Sequence, residues 1–275
     1  MPAFGAKDVV LDTIKSTLPE LNLSVERGTP RESTLRQAPP KTPPPSAPQK
    51  TGAELYGDWI KISSVRKQAP YLITLTTNIP KEQTLAITGW VIEGRAERFT
   101  IPKGVELIPE GIQGAVYEPI VLQRGDRVRI SGAENPFTSK LSFKPNACFG
   151  YLKDKRIFPV SVPSSCPRDI PKLAEMDHLP EDCQEFILDF RHCKEPLTYP
   201  STSPLINDFQ CRTFYENLEF KLSYDGCVKN HKAEDNFFRE EWHIYVDEED
   251  RLVRSTHDRI LLKDQDGVII DEFVY

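Results

Sequence analysis

The sequence lacks the features that mark membrane spans, nucleic-acid-binding surfaces and the common enzyme classes. It contains no run of about 18 apolar residues, which excludes a membrane-spanning helix within these residues. No segment is basic enough to neutralise a phosphate backbone, and the net charge is −6, so nucleic acid is not an expected partner. The motifs GxSxG and HExxH and a P-loop are absent too. The sequence therefore predicts a non-enzymatic protein without a cofactor.

The first residues also lack a secretory signal, whereas the cysteines point to an oxidising compartment. MPAFGAKDVV has neither a basic start nor an apolar stretch of about 7–15 residues. All six cysteines lie between positions 148 and 227, an even number in one loop-rich region, which is typical of a disulfide framework. We therefore expect an extracytoplasmic protein, at the cell surface or secreted, whose export signal or membrane anchor lies upstream of Met1.

Residues 1–53 differ in composition from the rest of the chain. Apolar residues at helical spacing predict a short amphipathic helix over residues 6–18. Six of the ten residues from 39 to 48 are proline, which predicts a disordered, proline-rich linker. The folded part is expected to cover residues 54–275.

Two β regions flank a helical, cysteine-rich insert in the folded part. Alternating β-branched and polar residues predict strands up to about residue 132 and again from residue 242. Residues 148–241 are predicted to be mainly helical, with one helix beginning at Pro180 and a second one N-capped by Asp208. The predicted fold class is therefore mainly β, a β-sandwich with a disulfide-rich α-helical insertion.

The β regions resemble the lamin tail domain. The resemblance is carried by LITLTTN, LAITGW, FTIPKGVELIPEG, PIVLQRGDRVRIS and ILLKDQDGVIIDEFVY, which look like successive strands of that family. Its characteristic positions correspond to Gly89, Trp90, Pro102, Gly104, Asp266, Gly267 and Tyr275. With its insert, the chain is also similar to uncharacterised exported proteins of candidate-phylum bacteria that carry six cysteines in such a domain. The resemblance implies an immunoglobulin-like β-sandwich used as an envelope or interaction module, and it brings no catalytic residues.

Helix geometry limits which cysteines can form disulfides. Cys183 and Cys193 lie ten residues apart in one predicted helix, about 15 Å at ~1.5 Å per residue, which is too far for a disulfide. The expected pairs are Cys183 with Cys227, Cys193 with Cys211, and Cys148 with Cys166.

Two metal sites are alternatives. His192, Cys193, Cys227 and His231 together offer four nitrogen and sulfur ligands for zinc, although the sequence has no CxxC pair. Asp264 and Asp266 open a DxDG calcium motif, although a hairpin turn explains the same residues without an ion. We expect disulfides and no resident metal.

Other candidate sites have plainer interpretations. Arg124-Gly125-Asp126 matches an adhesion tripeptide, but a β-turn requires the same residue types. Trp242 and Tyr245 can line a sugar-binding face or pack in the core. The chain has five histidines, at 178, 192, 231, 243 and 257, but no catalytic motif accompanies them.

The sequence thus predicts a binding or structural module displayed at the cell envelope on a proline-rich spacer. The expected partner is an unidentified protein or a cell-envelope glycan. A carbohydrate-binding module, an accessory domain of an envelope hydrolase and a cytoplasmic zinc protein remain as alternatives.

Overall fold

A computed structural model describes residues 52–109, 114–137, 141–196, 208–246, 252–254 and 256–275. All of them belong to one compact unit that spans residues 48–275. The helix predicted at 6–18 and the proline-rich stretch at 39–48 lie outside the described residues. The described chain begins with the short helix α1 (Gly52–Tyr56).

The first sheet has four strands in the order β1-β2-β7-β8. β1, β2 and β7 follow the predicted alternation and bury one face, whereas β8 is buried on both faces from Trp242 to Tyr245. Neighbouring strands are antiparallel except β7 and β8, which are parallel. The strands are β1 (Ile60–Arg66), β2 (Leu72–Thr77), β7 (Arg127–Ser131) and β8 (Glu241–Tyr245).

The second sheet has the order β10-β9-β4-β5 and is antiparallel throughout. A turn over Asp264–Gly267 joins β9 and β10, which confirms the predicted hairpin. Gly267 has φ +81°, a conformation that favours glycine. The strands are β4 (Val91–Glu93), β5 (Arg98–Thr100), β9 (Arg259–Lys263) and β10 (Ile269–Val274), and β3 (Leu85–Ala86) pairs separately with β6 (Val121–Leu122).

Both four-stranded sheets bury one face in the same hydrophobic core. Ile73 and Ile244 of the first sheet share this core with Ile92 and Leu262 of the second. At one side, β1 contacts β10, and the backbone N–H of Ile62 donates to Asp271 Oδ2 at 2.7 Å. The strands of both regions therefore join in one β-rich unit, as predicted.

The segment between β7 and β8 contains helices. It forms α2 (Phe149–Lys155), a 3₁₀ turn (Leu173–Glu175), α3 (Glu181–Leu188), α4 (Phe209–Lys221) and α5 (Tyr224–His231). Because β7 and β8 are parallel, a long crossover must join them, and this segment provides it.

The sequence predicted where two helices begin, but not how many helices there are or where α3 ends. Pro180 precedes α3, and the Asp208 side chain caps α4 by accepting from the N–H of Cys211 at 2.8 Å, as expected. However, α3 ends at Leu188 instead of reaching Cys193. Cys193 has φ +59° and is bonded to Cys166, so the chain has already left the helix there. The sequence did not predict α2 or α5.

A second hydrophobic core joins the helical segment to the β part. Phe143 and Phe149 pack in it with Val105, from the connection between β5 and β6, and with Tyr245 of β8. A third core holds the facing sides of α3 and α4, including Ile187 and Leu218.

All six cysteines are in disulfides, but each predicted pairing was wrong. Cys183 lies on the apolar side of α3, as predicted, but this side packs against α4 and brings Cys183 to Cys211. Likewise, α5 packs against α2, which brings Cys227 of α5 to Cys148 at the start of α2. The bonds are Cys148–Cys227, Cys166–Cys193 and Cys183–Cys211, with Cα–Cα distances of 5.9, 5.7 and 5.8 Å.

In the part of the chain that the structure describes, every helix is too short or too polar to cross a membrane. The three disulfides indicate an oxidising, extracytoplasmic environment.

Candidate functional site

The structure does not assemble the zinc site. Cys193 and Cys227 are both in disulfides, so neither offers the thiolate that binds zinc. His231 is also occupied, because its Nε2 lies 2.9 Å from Asp169 Oδ1 and its Nδ1 lies 2.7 Å from Glu234 Oε1. Burial opposes the charged imidazolium, but the hydrogen bonds to Glu234 and Asp169 outweigh it and raise the pKa of His231.

The acidic turn between β9 and β10 has a structural role. Asp264 is buried, and its Oδ1 accepts from the backbone N–H groups of Asp266 and Val268 at 3.0 and 2.9 Å. Asp266 is exposed. The hydrogen bonds of Asp264 account for the DxDG pattern as a hairpin turn without an ion.

The adhesion tripeptide does not present its carboxylate. Asp126 is buried, and its Oδ2 accepts from the backbone N–H of Gln123 at 2.8 Å. Burial raises the pKa of Asp126, while the hydrogen bond from Gln123 and the charge of Lys144 oppose that rise. A receptor cannot reach this carboxylate without breaking the turn.

The aromatic residues and the histidine of β8 are packed inside the molecule. Trp242 lies in the shared core of the two sheets and Tyr245 in the second core, so neither forms an exposed sugar-binding face. His243 stacks on Phe143 with ring centroids 5.3 Å apart. Burial lowers the pKa of His243, which favours the neutral imidazole.

A polar group lies beside this histidine on the outer face of the first sheet. Glu241 Oε1 is 3.2 Å from His243 Nε2, and Glu241 Oε2 is 3.1 Å from Arg129 Nε. Burial acts against the charged carboxylate, but the hydrogen bond with His243 and the charge of Arg129 outweigh it and lower the pKa of Glu241. The Phe143 ring covers His243, and this stacking connects the segment between β7 and β8 to the sheet.

A cleft of about 560 Å³ at one edge of the second sheet is the best candidate for a binding site. In an antiparallel sheet the end of one strand lies beside the start of the next, so the ends of β4 and β10 and the start of β9 meet at this edge. The cleft is lined by Glu93, Gly94, Arg95, His257, Asp258, Arg259, Leu261, Val274 and Tyr275.

Backbone contacts build one wall of the cleft. Asp258 and Tyr275 exchange two backbone hydrogen bonds of 3.0 and 3.1 Å, which extend the β9–β10 ladder by one pair. Gly94 lies so close to the carbonyl oxygen of Leu252 that any side chain at this position would overlap it. Glycine at position 94 thus lets the chain at 252–254 pass against the β4–β5 turn.

The exposed charge of the cleft comes mainly from two guanidinium groups. Arg95 and Arg259 are both exposed. Glu93 is paired with Lys263 Nζ at 2.8 Å, and Asp258 is buried with its Oδ1 accepting the backbone N–H of Arg259. Among the residues that the structure describes, Arg259 has one ion pair, a long and exposed one with Glu272 at 3.9 Å. The two arginines are therefore available to an anionic ligand.

Of the residues considered from the sequence, only His257 and Tyr275 lie in this cleft. The sequence carried no signal for the others. Residues 93–95 and 257–261 are more than 160 positions apart, and only the pairing of β4 with β9 brings them together.

Comparisons of the chain with protein-family models, with curated proteins and with solved structures found no match.

Proposed function

We propose that this protein is a non-enzymatic module of the cell envelope, exported or displayed at the cell surface, that binds an anionic ligand through the cleft at the edge of the second sheet. The cleft geometry carries the proposal, because two exposed arginines flank a concave surface of suitable volume. Charged envelope glycans are the ligand class that suits both the arginines and the compartment.

The proposal also includes a specific fold for the β-rich unit. We propose an immunoglobulin-like β-sandwich of the lamin tail type, interrupted by the disulfide-linked helical segment. The shared core of the two four-stranded sheets supports it. The glycine of the family-like Pro-Gly turn supports it as well, because Gly104 lies directly against the Trp242 ring, where a Cβ would come within 2.4 Å of a ring carbon.

The compartment follows from the cysteines. Three disulfides in one segment would not persist in a reducing cytoplasm, which supports export and disfavours a cytoplasmic zinc protein. The histidines support a role without catalysis, since His231 is held between two carboxylates and His243 is buried under Phe143.

Binding to polysaccharides of different charge tests the proposal. We would measure the affinity of the oxidised protein for polygalacturonate, an acidic polymer, and for neutral dextran by isothermal titration calorimetry. The proposal predicts binding of the acidic polymer only. The double variant Arg95→Ala/Arg259→Ala should weaken it at least tenfold, because two charge-assisted contacts are lost.

The matched control removes the same charge elsewhere. Arg124→Ala/Arg212→Ala changes two exposed arginines that do not line the cleft. This control should reduce affinity by less than threefold. Equal losses in the two double variants would show non-specific attraction by net charge and would refute the cleft as the binding site.

A further inference from the structure

The three disulfides differ in how accessible they are. The four cysteines of the bonds Cys148–Cys227 and Cys183–Cys211 are all 0% exposed. Cys166 and Cys193 are 9% and 8% exposed. Thiol–disulfide exchange requires a thiolate to reach one sulfur, so access separates this bond from the other two.

The surroundings of the Cys166–Cys193 bond also favour exchange. A ring nitrogen of the exposed His192 and both sulfur atoms lie within 4.8 Å of one another. A protonated imidazole at that position can give its proton to a thiolate that leaves the bond. Cys193 also has φ +59°, a backbone conformation that non-glycine residues rarely adopt.

Neighbouring ion pairs would keep the two cysteines close once the bond is open. Directly after Cys193, Lys194 pairs with Asp154 at 2.9 Å and Glu195 pairs with Lys155 at 2.5 Å. Both pairs connect the residues after Cys193 to α2, independently of the disulfide. Cys166 and Cys193 line the second core together with Cys148–Cys227, and Cys183–Cys211 lies in the third core, so the two remaining disulfides would keep the helices packed.

We propose that Cys166–Cys193 is a thiol–disulfide exchange site that reacts with a dithiol while the rest of the protein stays folded. One thiolate of the dithiol attacks one sulfur of the bond, the S–S bond breaks, and the departing sulfur leaves as a thiolate that His192 protonates. The second thiol of the dithiol, as its thiolate, then attacks the dithiol's own sulfur in the mixed disulfide, and the remaining protein cysteine leaves as a thiolate that takes up a proton from water. The dithiol is oxidised to a disulfide, and Cys166 and Cys193 are reduced to two thiols.

Timed reduction of the native protein tests this proposal. The oxidised protein is treated with increasing dithiothreitol without denaturant, quenched at intervals with iodoacetamide, and analysed by peptide mapping. We expect label at Cys166 and Cys193 at least tenfold faster than at the other four cysteines. The rate should rise linearly with dithiothreitol, because direct attack does not wait for unfolding. Reduced glutathione, a monothiol, should instead accumulate as a mixed disulfide on this pair.

Two variants separate the role of His192 from a general effect. His192→Gln should slow labelling of this pair at least threefold, whereas His178→Gln, another exposed histidine, should leave the rate unchanged. Equal labelling rates for all three bonds, or a rate that saturates with dithiothreitol, would overturn the exchange site. An unchanged rate in His192→Gln would overturn the part assigned to its imidazole.

Discussion

Removing the Asp271 side chain tests how the two sheets are joined. Asp271 lies on β10 of the second sheet, and its Oδ2 accepts the backbone N–H of Ile62, on β1 of the first, at 2.7 Å. Ile62 is buried in the shared core. In Asp271→Ala this N–H loses its acceptor in a partly buried position.

The expected loss follows from the cost of an unsatisfied donor. A buried N–H without a partner costs about 1–3 kcal/mol, so we expect the free energy of unfolding to fall by about 2 kcal/mol. For a folded part of roughly 200 residues, that corresponds to a decrease in Tm of roughly 4–8 °C. Asp271→Asn keeps an acceptor oxygen at the same position and should lose less than half as much.

Urea unfolding of the oxidised protein, followed by tryptophan fluorescence, measures this loss. Glu272→Ala is the matched control, because it removes the same charge from the next residue of β10, where the side chain is exposed and its pair with Arg259 is long. It should change stability by less than about 0.5 kcal/mol. If Asp271→Ala were no less stable than Glu272→Ala, the reasoning about this contact between the sheets would be refuted.

Three further predictions concern single residues. The raised pKa of His231 means that its hydrogen bonds stabilise the fold fully below its unfolded pKa of about 6.5 and less as pH rises through the folded pKa. His231→Gln should therefore lower the free energy of unfolding by about 1–2 kcal/mol at pH 5.5 and by less at pH 8.5. The lowered pKa of Glu241 gives the opposite dependence, so the cost of Glu241→Gln, about 1–3 kcal/mol near neutral pH, should shrink as pH falls through the folded pKa. Gly267→Ala should cost about 1–2 kcal/mol, because φ is +81° at this position.

Each of these predictions has a control on an exposed residue. His178→Gln, Glu219→Gln and Gln265→Ala should each stay within about 0.5 kcal/mol of the parent protein in the same urea titrations. A cost of His231→Gln that grew with pH, or a cost of Glu241→Gln that grew as pH fell, would contradict the assigned pKa directions. An unchanged stability of Gly267→Ala would contradict the strain assigned to the turn.

Local patterns in the sequence predicted individual elements well. The alternation in residues 71–76, the Asp208 cap and the Asp-Gly turn of the last hairpin each depend on neighbouring residues, and all three are present. Helices α2 and α5, with seven and eight residues, were missed because they are too short for a clear periodic pattern. Helix α3 is equally short, but Pro180 and the acidic residues of its first turn indicated it.

Long-range contacts were the part that could not be predicted. The predicted disulfide pairing was wrong because it depends on which helices pack together, and no local pattern indicates the contact of α2 with α5. The cleft depends in the same way on the pairing of β4 with β9, which are separated by the whole helical segment. Arg95 and Arg259 carry no motif that would have marked them as neighbours.

The central claim is an oxidised, extracytoplasmic β-rich protein whose helical segment is held by three specific disulfides. A non-reducing peptide map of protein purified from its native host, with free thiols blocked at lysis, tests it most directly. We expect three linked peptides, Cys148–Cys227, Cys166–Cys193 and Cys183–Cys211, with the fully buried Cys148, Cys183, Cys211 and Cys227 free of the blocking reagent. Six blocked cysteines would contradict the oxidising compartment, and a Cys183–Cys227 peptide would contradict the packing of α3 on α4.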